Sequence, residues 1–230
     1  MKRHIVVLTG AGMSAESGIA TFRDSDGLWE KYDVMKVAHI DSWYINPDLM
    51  LTFYNQRRKQ LASVEPNDGH KIIAELESDY KVTVITQNVD NLHERAGSSN
   101  IIHLHGELTK ACSSRNKKHV VDIGYNEIHQ GDKAADGSQL RPFIVWFGEV
   151  VPEIERAAEI VSTADMIIVV GTSMQVYPAA GLINYAKPNI PIYLIDPADV
   201  NAPSNVIIIK EKASKGLEIF KNECRKYWKS

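Results

Sequence analysis

The stretch IVVLTGAGMSAESGIATFR, residues 5–23, decides the fold of this chain. Its apolar beginning, residues 5–8, predicts a buried strand, and Gly10 and Gly12 follow directly before the start of a helix. We expect Gly10 to permit a tight turn and Gly12 to let the main chain approach a phosphate without a Cβ in the way. A strand, a glycine-rich turn and a helix start in this order are typical of a pyrophosphate-binding site.

Short apolar runs alternate with amphipathic segments along the rest of the chain. The apolar runs predict strands buried on both faces at residues 5–8, 82–86, 101–104, 166–170, 190–195 and 206–209. The amphipathic segments predict helices at residues 69–77, 153–162 and 214–228. This alternation indicates the α/β class, with a Rossmann-type parallel sheet covered by helices on both faces.

The distances between the predicted strands indicate one domain, residues 1–230, with a small second lobe built from two insertions. We assign to the Rossmann core residues 1–26, 67–108 and 142–230, and to the lobe a helical insertion at 27–66 and a polar insertion at 109–141. Asn46 and Pro47 suit the N-cap and first turn of a helix that runs through Leu61. The polar insertion has no clear period, which predicts a small lobe or a mobile loop.

Composition excludes several classes of protein. The 230 residues are 44% hydrophobic and carry a net charge of −3, so nucleic acid is not an expected partner. Two cysteines, Cys112 and Cys224, cannot build a disulfide framework and fit a reducing compartment. The apolar run before Gly10 is too short for a signal peptide, and no run is long enough to cross a membrane. We therefore expect a cytoplasmic protein without a membrane partner.

Polar residues follow four of the predicted strands, at residues 10–23, 87–90, 105–107 and 171–173. Any one of these segments could simply cap a helix, as the side chains of Asn88, Asp90 and Ser173 could do. The carboxyl ends of parallel strands meet at one edge of a sheet, where open α/β sheets bind ligands. Four segments at this edge therefore predict a site.

These segments resemble those of the sirtuin family, the NAD-dependent protein lysine deacylases. The resemblance is carried, in the family's order, by Gly10-Ala11-Gly12, Thr21-Phe22-Arg23, Thr86-Gln87-Asn88-Val89-Asp90, Leu104-His105-Gly106-Glu107, Val145-Trp146-Phe147-Gly148-Glu149 and Gly171-Thr172-Ser173. It implies that NAD is consumed, that the acyl group of a modified lysine passes to ADP-ribose, and that nicotinamide leaves. The implied partners are proteins or peptides with acylated lysines.

The resemblance also implies roles for single residues. His105 matches the base that activates a ribose hydroxyl, a task that suits imidazole because its pKa is close to neutrality. The residues that would bind NAD are Gly10, Ala11, Gly12, Ser14, Ala15, Thr21, Phe22, Arg23, Trp29, Gln87, Asn88, Asp90, Gly171, Thr172, Ser173, Asp196 and Ala213. Among them Asn88 and Asp90 would hold the nicotinamide amide, and Asp196 would replace a ribose contact where Leu194 stands in place of an asparagine. The acylated peptide would contact Val145, Phe147 and Gly148.

The helix after Pro47 carries a feature of one sirtuin subgroup. Tyr54 and Arg57 are three residues apart, so both side chains lie on one helix face. Sirtuins that remove acidic acyl groups carry such a pair, which implies that Arg57 holds the distal carboxylate of succinyl- or malonyl-lysine. The alternative is a solvated basic face, because Arg58 and Lys59 follow.

The cysteines and histidines of the chain do not have the spacing of a structural zinc site. Many sirtuins hold zinc with four cysteines in the small lobe, but only Cys112 lies in this region, and His119 and His129 complete no regular set. We expect no zinc. A different metal site remains open, since His103 and His105 would share one face of a strand, with His93 or Asp90 as a further ligand.

Three other functions remain open at this point. An ADP-ribosyltransferase would use the same NAD site, and a non-catalytic module would bind NAD only to sense it. A metal-dependent hydrolase would work without NAD and would be inhibited by chelators.

Overall fold

The computed structural model describes residues 2–21, 32–172, 179–200 and 202–227. The strands are β1 (His4–Thr9), β2 (Lys81–Thr86), β3 (Ile101–His103), β4 (Gly106–Ser113), β5 (Val120–Asp122), β6 (Leu140–Ile144), β7 (Met166–Val170), β8 (Ile192–Ile195) and β9 (Val206–Ile209). The helices are α1 (Ala11–Ala15), α2 (Val34–Ala38), α3 (Ile40–Ile45), α4 (Pro47–Ala62), α5 (Asp68–Leu76), α6 (Leu92–Ala96), α7 (Ile154–Ser162) and α8 (Ala213–Tyr227), with a 3₁₀ segment at Ala179–Tyr185. Four residues assigned to the NAD site lie outside the described residues: Phe22, Arg23, Trp29 and Ser173.

Six strands form a parallel sheet in the order β3-β2-β1-β7-β8-β9. The order reverses between β1 and β7, and a crevice opens beyond the carboxyl ends of strands at such a point. The turns after these two strands begin at Gly10 and Gly171. The predicted α/β class and parallel sheet are confirmed, and the fold brings two of the four motif segments to the switch point.

Alternate residues of β1 enter two different cores. Ile5 and Val7 pack with α5 and α8 on one face of the sheet, whereas Val6 and Leu8 pack with α7 on the other. Both faces are therefore covered, which explains the continuous apolar runs of the central strands. The helix predicted at 69–77 begins one residue earlier, where the Asn67 side chain accepts hydrogen bonds from the backbone of α5.

A second, smaller sheet is antiparallel, in the order β5-β4-β6. With α2, α3 and α4 it encloses a third apolar cluster around Phe53, Tyr54 and Trp146. The predicted start of α4 is confirmed, because Asn46 accepts a hydrogen bond from Leu49 N at 3.1 Å and Pro47 occupies the first turn. The polar insertion thus contains strands despite its lack of a period. The residue boundaries assigned to core and lobe remain predictions.

The burial predicted for β9 is wrong. Ile207 and Ile208 are 45% and 51% exposed, because among the described residues β9 is the edge strand of the large sheet and pairs with β8 alone. Its apolar composition reflects the β-branched side chains that strands favour, not burial on both faces. In the part of the chain that the structure describes, no helix has the length and apolar character needed to cross a membrane.

Candidate functional site

The glycines of the two turns at the switch point pack against each other. A Cβ on Gly10 would lie 2.7 Å from Thr172 Cβ, and one on Gly12 would lie 2.7 Å from Gly171 Cα. Gly171 itself has a φ of +62°. Gly10 has a φ of −127°, an extended conformation open to any residue, so its backbone does not use the conformational freedom expected of glycine in a tight turn. Close approach of the two turns requires this glycine instead.

Ser14 joins two of the residues assigned to the nicotinamide amide. Its hydroxyl donates to Asp90 Oδ2 at 2.9 Å and accepts from Asn88 Nδ2 at 3.1 Å. The Asn88 amide nitrogen also donates to the carbonyl of Gly10 at 3.0 Å. All three side chains are at least nine-tenths buried. The network fixes Asn88 and Asp90 against the first glycine turn.

Asp90 lies just before the N-cap of α6, which is Asn91, and it also bonds the backbone of that helix. Its Oδ1 accepts from Leu92 N at 3.1 Å, at the start of α6. Burial raises the pKa of Asp90, while the bonds from Leu92 and Ser14 and the charges of His103 and Arg57 lower it. Asp90 is therefore not the N-cap of α6, and its role in the site remains a prediction.

His105 lies in a turn between β3 and β4, half-buried. Its Nδ1 lies 3.0 Å from the carbonyl of Gln87, and because a carbonyl only accepts, Nδ1 carries the proton. Nε2 of the neutral ring is then the basic nitrogen. Burial lowers the pKa of His105, partly offset by the bond to Gln87, so the ring is neutral at pH 7. A neutral ring with a basic Nε2 is able to accept a proton, and the role of His105 as general base remains a prediction.

The next residue requires glycine. Gly106 has a φ of +81°, and a Cβ there would lie 2.0 Å from the carbonyl oxygen of Phe143. This turn ends β3 at His103 and directs the chain into the small sheet. His105 is therefore not on the strand, and the premise that His103 and His105 share one strand face is wrong.

The remaining described NAD-site residues lie along the same edge. Gln87 Nε2 donates to Thr172 Oγ1 at 3.3 Å, which connects the turns after β2 and β7. Asp196 follows β8, and its Oδ1 accepts from Ala198 N at 2.9 Å. Leu194 is fully buried within β8. Ala213 begins α8, whose next amide, Ser214 N, donates to a Glu16 carboxylate oxygen at 2.9 Å. Ala11 and Ala15 are the first and last residues of α1, and Thr21 follows six residues after its end.

Tyr54 and Arg57 project from one face of α4. Tyr54 is 1% exposed, and its hydroxyl accepts from Trp146 Nε1 at 2.8 Å. Arg57 is half-buried with its guanidinium carbon 5.8 Å from the centre of the Phe53 ring. Burial lowers the pKa of Arg57, and electrostatic interactions with Tyr54 and Asp90 oppose this effect. The two side chains interact electrostatically within a largely apolar lobe.

Arg58 does not lie on a solvated basic face, so that alternative is wrong for this residue. It is fully buried, with Nε donating to the carbonyl of Leu108 at 2.6 Å and Nη1 to Asn55 Oδ1 at 2.8 Å. Burial lowers the pKa of Arg58 to about 10. It ties α4 to β4, whereas Lys59 is exposed.

The segment assigned to the acylated peptide lies between β6 and α7. Val145 N donates to the carbonyl of His105 at 2.9 Å, so this segment is attached to the turn that carries the base. Phe147 pairs through its backbone with Ala38 and Ile40, while its ring is 46% exposed. Gly148 has a φ of +85° beside Ile40. Phe147 can therefore meet a ligand through its ring.

Trp146 was not among the residues assigned from sequence. The contact with Tyr54 joins residues 92 positions apart, and only the packing of α4 against the end of β6 reveals it. The one sequence signal was its position inside a motif whose neighbours were assigned to the peptide.

The described residues do not form the alternative metal site at His103 and His105. His103 Nε2 lies 2.7 Å from Glu94 Oε1, and its Nδ1 lies 3.2 Å from the carbonyl of Asn88. Among the described residues, Glu94, His103 and Glu107 are the group whose ligand atoms lie within 4.8 Å of one another. Glu107 is already paired with Lys110 at 2.6 Å.

The polar insertion offers a poor ligand set for zinc. Cys112 is buried, and burial raises the pKa of its thiol, which disfavours the thiolate that zinc needs. Beside it, Ser113 Oγ bonds Asp136 Oδ2 at 2.6 Å and Ser138 Oγ at 2.8 Å. Hydroxyl groups are not structural zinc ligands, so the residues present do not fit the metal. That the protein lacks zinc remains a prediction.

Comparisons with known proteins agree with the geometry. A sequence profile of the Sir2 family matches residues 10–178. An "NAD-dependent protein deacylase" of Bacteroides thetaiotaomicron is 56% identical over 226 residues, covering 95% of this chain and 97% of that protein. One of Helicobacter pylori is 53% identical over 218 residues, covering 94% and 95%. A solved Sir2 homologue in complex with NAD superposes with a TM-score of 0.87 at 38% identity, covering 98% of this chain and 91% of the other.

The profile covers most of the chain, and the identities extend over nearly its whole length. The structural match includes both the parallel sheet and the small lobe. The chain therefore belongs to the Sir2, or sirtuin, family.

Proposed function

We propose that this chain is an NAD-dependent protein lysine deacylase that removes succinyl and malonyl groups, and acetyl groups more weakly. Family membership and the names of its relatives support the NAD-dependent reaction. The observation that carries the acyl preference is that buried Tyr54 and half-buried Arg57 share one face of α4. The partners are proteins or peptides with acylated lysines.

The pair suits an acyl group that ends in a carboxylate. Burial lowers the pKa of Arg57, which shows that its guanidinium lies partly withdrawn from water, where charged hydrogen bonds are stronger. A succinyl or malonyl carboxylate could accept two guanidinium bonds there. A charged hydrogen bond contributes about 1.5–3 kcal/mol, on the order of ten- to a hundredfold in preference over acetyl.

His105 serves as the general base of the proposed reaction. NAD, when bound, supplies the ribose hydroxyl that takes up the acyl group and nicotinamide as the leaving group. The carbonyl of Gln87 holds the proton on Nδ1 and leaves Nε2 to accept a proton from that hydroxyl. Asn88 and Asp90, fixed by Ser14, would orient the amide of the departing group. The main chain of the two glycine turns, which begin at Gly10 and Gly171, would hold the phosphates.

The test is a set of matched peptides bearing acetyl-, malonyl-, succinyl- and glutaryl-lysine. Each is incubated with and without NAD, and free lysine, nicotinamide and O-acyl-ADP-ribose are followed by mass spectrometry. We expect turnover only with NAD and the highest kcat/KM for the acidic acyl groups. Turnover without NAD would favour a metal-dependent hydrolase, and ADP-ribose attached to protein would favour the transferase.

Arg57→Met provides the sharper test of acyl choice. It should lower kcat/KM for succinyl-lysine by at least about tenfold, because one charged hydrogen bond is lost, while acetyl turnover holds or rises. The matched control is Lys59→Met, since Lys59 is exposed on the same helix. Equal losses for both acyl groups would mean that Arg57 is structural and that the acidic preference is wrong.

A further inference from the structure

Trp146 and Tyr54 form a hydrogen bond whose direction is fixed. Indole Nε1 lies 2.8 Å from the Tyr54 hydroxyl oxygen, and both side chains are nearly fully buried. An indole nitrogen can only donate, so the Tyr54 oxygen must be the acceptor. The hydroxyl proton of Tyr54 is then directed towards a different group.

We propose that Trp146 determines acyl specificity by fixing the Tyr54 hydroxyl as a hydrogen-bond donor to the distal carboxylate of an acidic acyl group. The inference rests on the acyl preference proposed above. A carboxylate only accepts hydrogen bonds, so it is matched by a hydroxyl that must donate. The methyl group of an acetyl substrate gains nothing from this orientation.

The indole is held in place from its other side. The backbone amide of Trp146 donates to Glu149 Oε2 at 2.9 Å, and the guanidinium carbon of Arg141 lies 3.5 Å from the centre of the indole ring. Arg141 is itself fixed by two bonds to the Glu149 carboxylate at 2.9 and 3.1 Å. Trp146 therefore presents its N–H in one orientation, and little side-chain entropy remains to be lost when a substrate binds.

The protonation state of Tyr54 agrees with a donor role. Burial raises the pKa of Tyr54 to about 12, although the positive charge of Arg57 and the bond from Trp146 act in the opposite direction. The phenol therefore keeps its proton at neutral pH. Arg57 supplies the charge for the carboxylate and Tyr54 supplies a directed neutral donor.

The experiment compares the ratio of kcat/KM for succinyl- and acetyl-lysine peptides across four proteins: wild type, Trp146→Phe, Tyr54→Phe and the double variant. We expect Trp146→Phe to lower the ratio by about 3- to 10-fold, the effect of misorienting one hydrogen bond. In the Tyr54→Phe background the same substitution should leave the ratio unchanged, since no hydroxyl remains to orient. Trp43→Phe is the control, because the Trp43 ring packs 5.5 Å from Trp146 in the same cluster.

A structural role would give a different pattern. The inference would be overturned if Trp146→Phe lowered kcat/KM equally for both acyl groups. It would also be overturned if the effects of the two single substitutions on the ratio simply added in the double variant. If Trp146→Phe shows no cooperative melting, β-(3-benzothienyl)-alanine at this position replaces the N–H with sulfur and keeps the ring shape. A wild type without an acidic preference would overturn the proposed function and this inference together. A wild-type preference that survives loss of the N–H would overturn the inference alone.

Discussion

Two buried histidines should make the fold sensitive to acid. His70 and His93 are at most 1% exposed, and their ring centres lie 4.8 Å apart. His70 Nδ1 accepts from Asn67 N at 3.3 Å and completes the capping box of α5. His70 Nε2 and His93 Nδ1 have no hydrogen-bond partner among the described residues. Protonating either ring would bury a positive charge beside a second imidazole, and protonating His70 would also break the cap.

The size of the effect follows from the pKa of His70. Burial lowers this pKa to about 4, against 6.5 for the unfolded chain. Between these values the unfolded state binds a proton that the folded state excludes, so the free energy of unfolding decreases as pH falls below 6.5. At pH 5 the difference amounts to about 2 kcal/mol for His70 alone. Burial lowers the pKa of His93 as well, which adds to the loss.

Urea unfolding at pH 7.5 and pH 5.0 measures this difference. His70→Gln keeps an acceptor for the capping box and cannot be protonated, so its loss of stability on acidification should be about 2 kcal/mol smaller than that of the wild type. His129→Gln is the control, because His129 lies on the surface with a side chain 67% exposed. If His70→Gln loses as much stability as the wild type, the buried-histidine explanation is wrong.

Two further substitutions and two measurements test the site and the lobe. His105→Ala should lower turnover by roughly 100-fold or more while calorimetry still detects NAD binding, and near-normal turnover would exclude it as the base. In the wild type the acidic limb of kcat/KM should have its midpoint below 6.5, because burial lowers the pKa of His105. Elemental analysis should find no stoichiometric zinc and chelators should leave Tm unchanged, whereas about one zinc per chain would contradict the ligand argument. Gly106→Ala should cost about 2 kcal/mol or more in a denaturant titration, because the new Cβ meets the Phe143 carbonyl, and an unchanged midpoint would refute this.

The sheet was predictable because its central strands carry a simple signal. Residues buried on both faces give continuous apolar runs, as in β1 and β7, and these runs were assigned to within two residues of their bounds. The same signal misleads at β9, where Ile207 and Ile208 favour a strand without being buried. The sequence pattern predicts that a strand is present, but the topology of the sheet decides whether neighbouring elements bury that strand.

The errors inside the site have a different cause. Arg58 resembles a surface cation by its position beside Lys59, yet it is buried and its Nε donates to the carbonyl of Leu108, fifty residues away. The need for glycine at position 10 arises from Gly171 and Thr172, not from its own φ. Trp146 likewise acquires its role from Tyr54. Each depends on a contact between distant segments, which local propensity does not encode.

Asp90 connects the two ends of the site and decides how substitutions at Arg57 must be interpreted. On one side it accepts a bond from Ser14 in the first glycine turn, and on the other the charge of Arg57 partly opposes the rise that burial causes in its pKa. Removing Arg57 therefore removes a cation from Asp90 as well as from any acyl carboxylate. A change that acts through Asp90 alters every acyl substrate equally, whereas loss of the carboxylate contact alters only the acidic ones. The ratio of succinyl to acetyl kcat/KM separates the two effects, which an absolute rate cannot do.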